Sequence, residues 1–248
     1  DHTESMLRHF GATVVQDIAH DGTHHVSLTG EAVLRAADIA VPRDPSSAAF
    51  PMVAALLTPA SDITIPQVGM NPLRTGLITT LMEMGGDITL SNERTEGGEP
   101  VADLRVRHSQ LHGIDVPAAR AASMIDEYPI LAIAATQADG VTRMTGVSEL
   151  RVKETDRIAV VADGIAAAGG SVSYDEDSMT VTGGNIAGGV TIASQHDHRI
   201  AMSFLTLGMV SDAAITVTGC MTINTSFPDF ATLMNGCGAV LAAAGGDT

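Results

Sequence analysis

The chain has 248 residues, 45% of them hydrophobic and 17% charged, which is enough apolar surface to build a core and too much for a disordered chain. Its apolar runs, such as 130–136 and 200–210, are broken by Thr, Ser or Gly and fall short of the ~20 residues a membrane-spanning helix needs. A net charge of −16 with only 13 Lys and Arg repels phosphate backbones and argues against nucleic acid as a partner.

The first ten residues pattern as an amphipathic helix, with Met6, Leu7 and Phe10 on one side. Because the chain opens on Asp-His-Thr-Glu with that helix already under way, further sequence is expected before residue 1. Gly11 ends the helix and a strand pattern follows it. The same passage from helix through glycine to strand recurs in LMEMGGDITL, GIAAAGGSVS and LMNGCGAVLA, at Gly85, Gly169 and Gly238. Glycine just past a helix end takes the left-handed conformation without steric cost, so each reads as a C-cap. Intervals of 74, 84 and 69 residues are long for a solenoid and suit compact units repeated within one fold.

Between these glycines the predicted elements run in a fixed order. A strand at 38–41, a helix at 46–57, a strand at 62–65, a helix at 73–84 and strands at 87–90 and 102–107 make one β-α-β-α-β-β unit. The second unit repeats it with a strand at 113–116, a helix at 126–135, a strand at 141–144, a helix at 155–168 and strands at 171–174 and 179–182. The third has a strand at 189–192, a helix at 199–210, a strand at 214–218, a helix at 227–236 and a strand at 239–242. Residues 1–36 hold only the trailing helix-strand-strand of an earlier unit. The first helix of each unit lacks a wide polar face, so it is expected in the centre, with the more polar second helices outside. The fold class expected is therefore α+β, three such units around a helix core. The division expected is a remnant at 1–36 and a domain at 37–248.

Three segments carry chemistry. Arg151-Val-Lys-Glu-Thr-Asp-Arg157 precedes the second helix of unit two, and Lys153 and Arg157, four residues apart, are expected to share a helix face suited to phosphate or carboxylate. Glu154 stands beside them as a proton carrier. The same run also reads as a charged helix start, with Glu154 and Asp156 favoured by the positive end of the helix. His196-Asp-His198-Arg199 precedes the apolar helix of unit three, where an arginine and free helix N–H groups can meet an anion. A polar helix cap is the simpler reading there, and two histidines two residues apart with no Cys or Glu at ligand spacing argue against a metal. At the matching place in unit two, Asp126-Glu-Tyr-Pro129 puts Pro129 in the first helical turn and leaves Asp126 free to cap or to act as a base.

Taken together, Ser-Met-Ile-Asp126-Glu-Tyr-Pro, Glu-Leu-Arg-Val-Lys153-Glu154-Thr-Asp-Arg157 and Asp197-His198-Arg199-Ile-Ala-Met resemble three signatures of the 5-enolpyruvylshikimate-3-phosphate synthase family. Pro45-Ser-Ser-Ala-Ala-Phe, Met70-Asn-Pro-Leu-Arg-Thr-Gly and Thr225-Ser-Phe-Pro-Asp-Phe extend the resemblance along the whole chain in the family's order. Members are considerably longer, and the chain resembles their C-terminal part. The resemblance implies an enolpyruvyl transferase fold of two domains that close on their substrates. It also implies transfer of the enolpyruvyl group of phosphoenolpyruvate to the 5-hydroxyl of shikimate 3-phosphate, releasing phosphate, without metal or organic cofactor. By the same resemblance Asp126 takes the hydroxyl proton with Lys153 beside it, both touching shikimate 3-phosphate. Glu154 would protonate the methylene carbon. Arg157 and Arg199 would clamp phosphoenolpyruvate with His198 in support. The two arginines are thus expected to converge on one anion, and no carboxylate is expected to pair both. The missing N-terminal part of the enzyme is the implied partner, and the chain alone is expected to be inactive.

Two positions depart from the family's common pattern, Thr225 where many members carry lysine and Glu149 where many carry asparagine, and neither is taken as a site residue. This pattern is similar to the subgroup often described as glyphosate-tolerant. The related UDP-N-acetylglucosamine enolpyruvyl transferase shares fold and donor, but Lys153-Glu154-Thr-Asp-Arg157 and Asp197-His198-Arg199 favour the shikimate enzyme. A non-catalytic repeat scaffold is the reading from a different class. The cysteines, Cys220 and Cys237, fit a reducing compartment better than a disulfide framework, which makes the cytoplasm the default location.

Overall fold

In the computed structural model, which describes residues 1–243, the four glycines expected as C-caps all have left-handed backbones: φ is 89° at Gly11, 91° at Gly85, 93° at Gly169 and 102° at Gly238. Each ends a helix, so the repeat inferred from spacing is the repeat of the fold. Residues 1–36 hold α1 (His2–His9) followed by the antiparallel pair β1 (Val14–Ile18) and β2 (His24–Leu28). Unit one holds α2 (Pro45–Leu57), β3 (Asp62–Gly69), α3 (Gly76–Glu83), β4 (Asp87–Glu96) and β5 (Glu99–Arg107), with β5 central in the antiparallel order β3-β5-β4. Unit two has β6 (Asp115–Val116), α4 (Tyr128–Thr136), β7 (Val141–Thr145), α5 (Arg157–Ala167), β8 (Ser171–Tyr174) and β9 (Ser178–Thr182). Its sheet order is β6-β7-β9-β8. Unit three contributes the parallel pair β10 (Thr191–Ala193) and β11 (Thr216–Thr218), with α6 (His198–Leu207) and α7 (Phe230–Gly236).

The apolar first helices do form the core. Every residue of α4 is buried, as are eleven of the thirteen in α2 and most of α6, and these three helices pack on one another. A helix with no polar face is stable only when surrounded, because each fully buried Leu or Ile contributes about 1.5–3 kcal/mol that exposure would forfeit. Gly164 sets how closely α5 approaches α6: a Cβ there would stand 2.2 Å from Cζ of Phe204. No helix among the described residues is long and apolar enough to cross a membrane.

Three element expectations need correction. Residues 38–41 form no strand; only Arg43 bridges Val68, after Pro42, whose missing N–H cannot join a ladder. Residues 239–242 form no strand either: in unit two the matching strand, β8, pairs with β9, and unit three has no equivalent of β9 among the described residues, so Asn235 bonds both N–H and C=O of Leu241 instead. The strands expected at 87–90 and 102–107 extend into a hairpin reaching Glu96 and Glu99, whose exposed polar residues hid the extension from the apolar pattern.

Candidate active site

Arg157 is the first residue of α5, yet its side chain is only 1% exposed. A buried guanidinium must find several acceptors, and this one has three carboxylates from three segments. It donates through Nη1 to Asp126 Oδ1 at 2.9 Å, through Nη2 to Glu154 Oε2 at 2.5 Å and through Nε to Asp197 Oδ2 at 2.8 Å. Burial alone would lower its pKa, but the bonds and charges of Asp197, Glu154 and Asp126 reverse that and raise it.

Asp197 is fully buried and holds two elements at once. Its carboxylate accepts from the N–H groups of Arg199 and Ile200, capping α6, while also receiving Arg157. The cap expected in this segment is thus present, and it fixes the first turn of α6, which carries His198 and Arg199. Asp156 caps α5 in the same way through Ala159 N–H and also receives Arg151.

Asp126 lies in the 3-10 turn Ile125–Glu127 leading into α4. Besides Arg157 it has Arg199 Nη2 at 3.7 Å from Oδ2 and Lys153 Nζ at 3.8 Å from Oδ1. Burial pushes its carboxyl up, but Arg199, Arg157 and Lys153 together pull further and hold it below the usual carboxylate range. It is therefore an ionised carboxylate among three cations at neutral pH, able to accept a hydrogen bond from a bound hydroxyl. Lys153 also donates to Glu149 at 2.6 Å. His198 is held below its usual value by burial and by Arg199, so it is neutral near pH 7.

All six residues expected at the site, Asp126, Lys153, Glu154, Arg157, His198 and Arg199, thus gather around the Asp126–Arg157 pair, drawn from units two and three. Two expectations about their arrangement fail. Lys153 and Arg157 do not share a helix face, because the chain is extended at Lys153 (ψ −157°) and becomes helical only at Arg157. A carboxylate does reach both arginines, since Asp126 bridges them, because burying guanidinium groups without counter-charge costs more than sharing one. Asp197 and Glu127, both buried beside these arginines, are not among the expected site residues. The capping position of Asp197 was a signal that it is buried at the head of α6.

The sequence matches the family described as EPSP synthase (3-phosphoshikimate 1-carboxyvinyltransferase) over residues 1–234. It is 58% identical over 241 residues to the 3-phosphoshikimate 1-carboxyvinyltransferase of Parvibaculum lavamentivorans, covering 96% of this chain and 53% of the relative. The protein of that name from Rhodospirillum rubrum is likewise 58% identical with the same coverage. Among solved structures, EPSP synthase from Acinetobacter baumannii superposes with a TM-score of 0.91 at 46% identity, over 97% of this chain and 55% of that one. The chain spans about half the length of the relatives it matches. By fold, and by a family match that runs through all three repeat units, it belongs to the EPSP synthase family.

Proposed function

We propose that this chain supplies the acid–base pair and the phosphoenolpyruvate clamp of an enzyme that joins phosphoenolpyruvate to the 5-hydroxyl of shikimate 3-phosphate. The observation that carries the proposal is the convergence of Lys153, Arg157 and Arg199 on Asp126 from separate segments. In this reading residues 37–248 belong to one domain and residues 1–36 to the other, with the substrates between them and the remaining ligands on the N-terminal part of the longer enzyme.

Asp126 accepts the proton of the 5-hydroxyl while that oxygen bonds to the central carbon of phosphoenolpyruvate, and Glu154 delivers a proton to the methylene carbon. Return of a proton from the resulting methyl group to the Glu154 carboxylate then restores the double bond as the bond to phosphate breaks and phosphate leaves. Lys153 lies near the attacking oxygen and stabilises the negative charge that it gains as its proton leaves. Arg157 and Arg199 hold the carboxylate and phosphate of phosphoenolpyruvate, and His198 donates to the same anion from the head of α6. Glu154, about half exposed, is the carboxylate that can leave Arg157 when the anion arrives.

The test is phosphate release by the chain alone and after mixing with a separately produced N-terminal half of a close relative. No turnover is expected from the chain alone, and turnover requiring both substrates is expected from the mixture. Appreciable turnover by residues 1–248 alone, or none from a mixture that associates, overturns the proposal.

A further inference from the structure

Glu127 stands at the N-cap position of α4 but makes no capping bond with its side chain. It is 4% exposed, and its carboxylate turns instead to Arg199, whose Nη1 donates to Oε1 at 3.3 Å. Behind it lies unit one. Ser46, 3% exposed in the first turn of α2, and Arg74, in the turn before α3, both stand beside the Glu127 carboxylate, and Arg74 Nη2 donates to Ser46 Oγ at 2.7 Å. Asp126, next to it in the same turn, is the remaining charged group facing it. The result is a polar chain from unit one through unit two to unit three that ends on one guanidinium. Nη1 of Arg199 is held there by Glu127 and by the carbonyl of Asp126 at 3.4 Å. Nη2 faces the Asp126 carboxylate at 3.7 Å, beyond a normal hydrogen bond, and is the arm left for an incoming anion.

We infer that Glu127 is the positioning residue for Arg199, fixing its guanidinium at the angle that receives phosphoenolpyruvate and tying that angle to the packing of all three repeat units. This rests on the anion-clamp reading of Arg199 above. Energetics favour it over a purely structural pair. Burial raises the Glu127 carboxyl more than Ser46, Arg199 and Arg74 lower it. A carboxylate whose folded pKa exceeds the unfolded one favours folding below the unfolded value and loses that benefit as pH rises through the folded value. Above that pH the group adds no stability, whereas its bond to Arg199 orients the guanidinium.

The experiment compares Glu127→Gln, Arg199→Ala and the double variant in the enzyme completed with the N-terminal half. Glu127→Gln is expected to raise KM for phosphoenolpyruvate about tenfold, with kcat and the KM for shikimate 3-phosphate within about twofold and no loss of Tm at pH 7. The double variant is expected to bind phosphoenolpyruvate no worse than Arg199→Ala, since Glu127 acts through that arginine. Additive losses, or a lowered Tm with unchanged KM, would overturn the positioning role. An Arg199→Ala variant with normal KM would instead sink the clamp reading, and this inference with it. If Glu127→Gln fails to fold, Ser46→Ala touches the same carboxylate from unit one and is expected to raise the same KM about threefold; an unchanged KM there counts against the inference.

Discussion

Arg157 and Asp197, forty residues apart, form an ion pair at 2.8 Å with side chains 1% and 0% exposed, and the same Asp197 carboxylate caps α6. The heads of α5 and α6 are thereby locked together by one group. Removing it leaves a buried guanidinium short of a partner and strips the cap. Asp197→Ala is expected to cost about 3–5 kcal/mol, lowering Tm by roughly 6–20 °C for a chain of this size. Asparagine caps nearly as well but carries no charge, so Asp197→Asn should lose less than alanine. Calorimetric melts of the two variants separate the cap from the ion pair; equal losses would mean the ion pair accounts for all of it.

Asp126 and Glu154 touch Arg157 from different segments and are assigned opposite proton transfers. In the completed enzyme, Asp126→Ala and Glu154→Gln are each expected to lower kcat by about 10²-fold or more, with a smaller change in KM. Asp163, exposed on the same helix as Arg157, is the control. Steady-state rates for Asp163→Asn should match the wild type, and an equal loss there would point to general damage.

Acid should weaken the fold through Asp126. Its folded pKa lies below the unfolded value, so the unfolded chain binds the proton more readily, and stability from this group is present above about pH 4 and lost as pH falls through the folded value. Urea melts between about pH 5 and 2 should show a shallower acid limb in Asp126→Asn than in the wild type.

His198 offers a second titration, lowered first by burial and then by the charge of Arg199. Its imidazole should titrate below 6.5 in an NMR experiment, and Arg199→Ala, by removing the adjacent positive charge, should move it up toward the ordinary value. An unchanged titration in that variant would separate the two side chains electrostatically.

The contact between Gly164 and Phe204 can be tested without touching any charged residue. Gly164→Val places atoms inside the Phe204 ring position and is expected to destabilise by about 1–3 kcal/mol. Phe204→Leu in the same chain should recover part of that loss. Losses that simply add would show that the two helices are not in the close contact described.

Much of the architecture was legible in the sequence because it depends on local rules. Glycine at a left-handed position, period-3.6 apolar runs and a proline in a first turn each report on a few neighbouring residues, which is why four C-caps, the buried helices α2, α4 and α6 and the repeat itself could be read directly. The strand expectations at 38–41 and 239–242 failed because a strand exists only with a partner edge, which no local pattern records. The family motifs likewise marked six residues that the fold gathers around the Asp126–Arg157 pair, but not how they meet. Spacing suggests that Lys153 and Arg157 share a helix face, whereas the backbone is extended at Lys153; the two still meet at Asp126 Oδ1, while their other partners, Glu149 and Asp197, differ. Asp126 reaches Arg199 across seventy-three residues only because α4, α5 and α6 pack as one core. Burial of the guanidinium groups then makes sharing carboxylates the least costly arrangement, and that balance of charge and desolvation is a property of the packed chain.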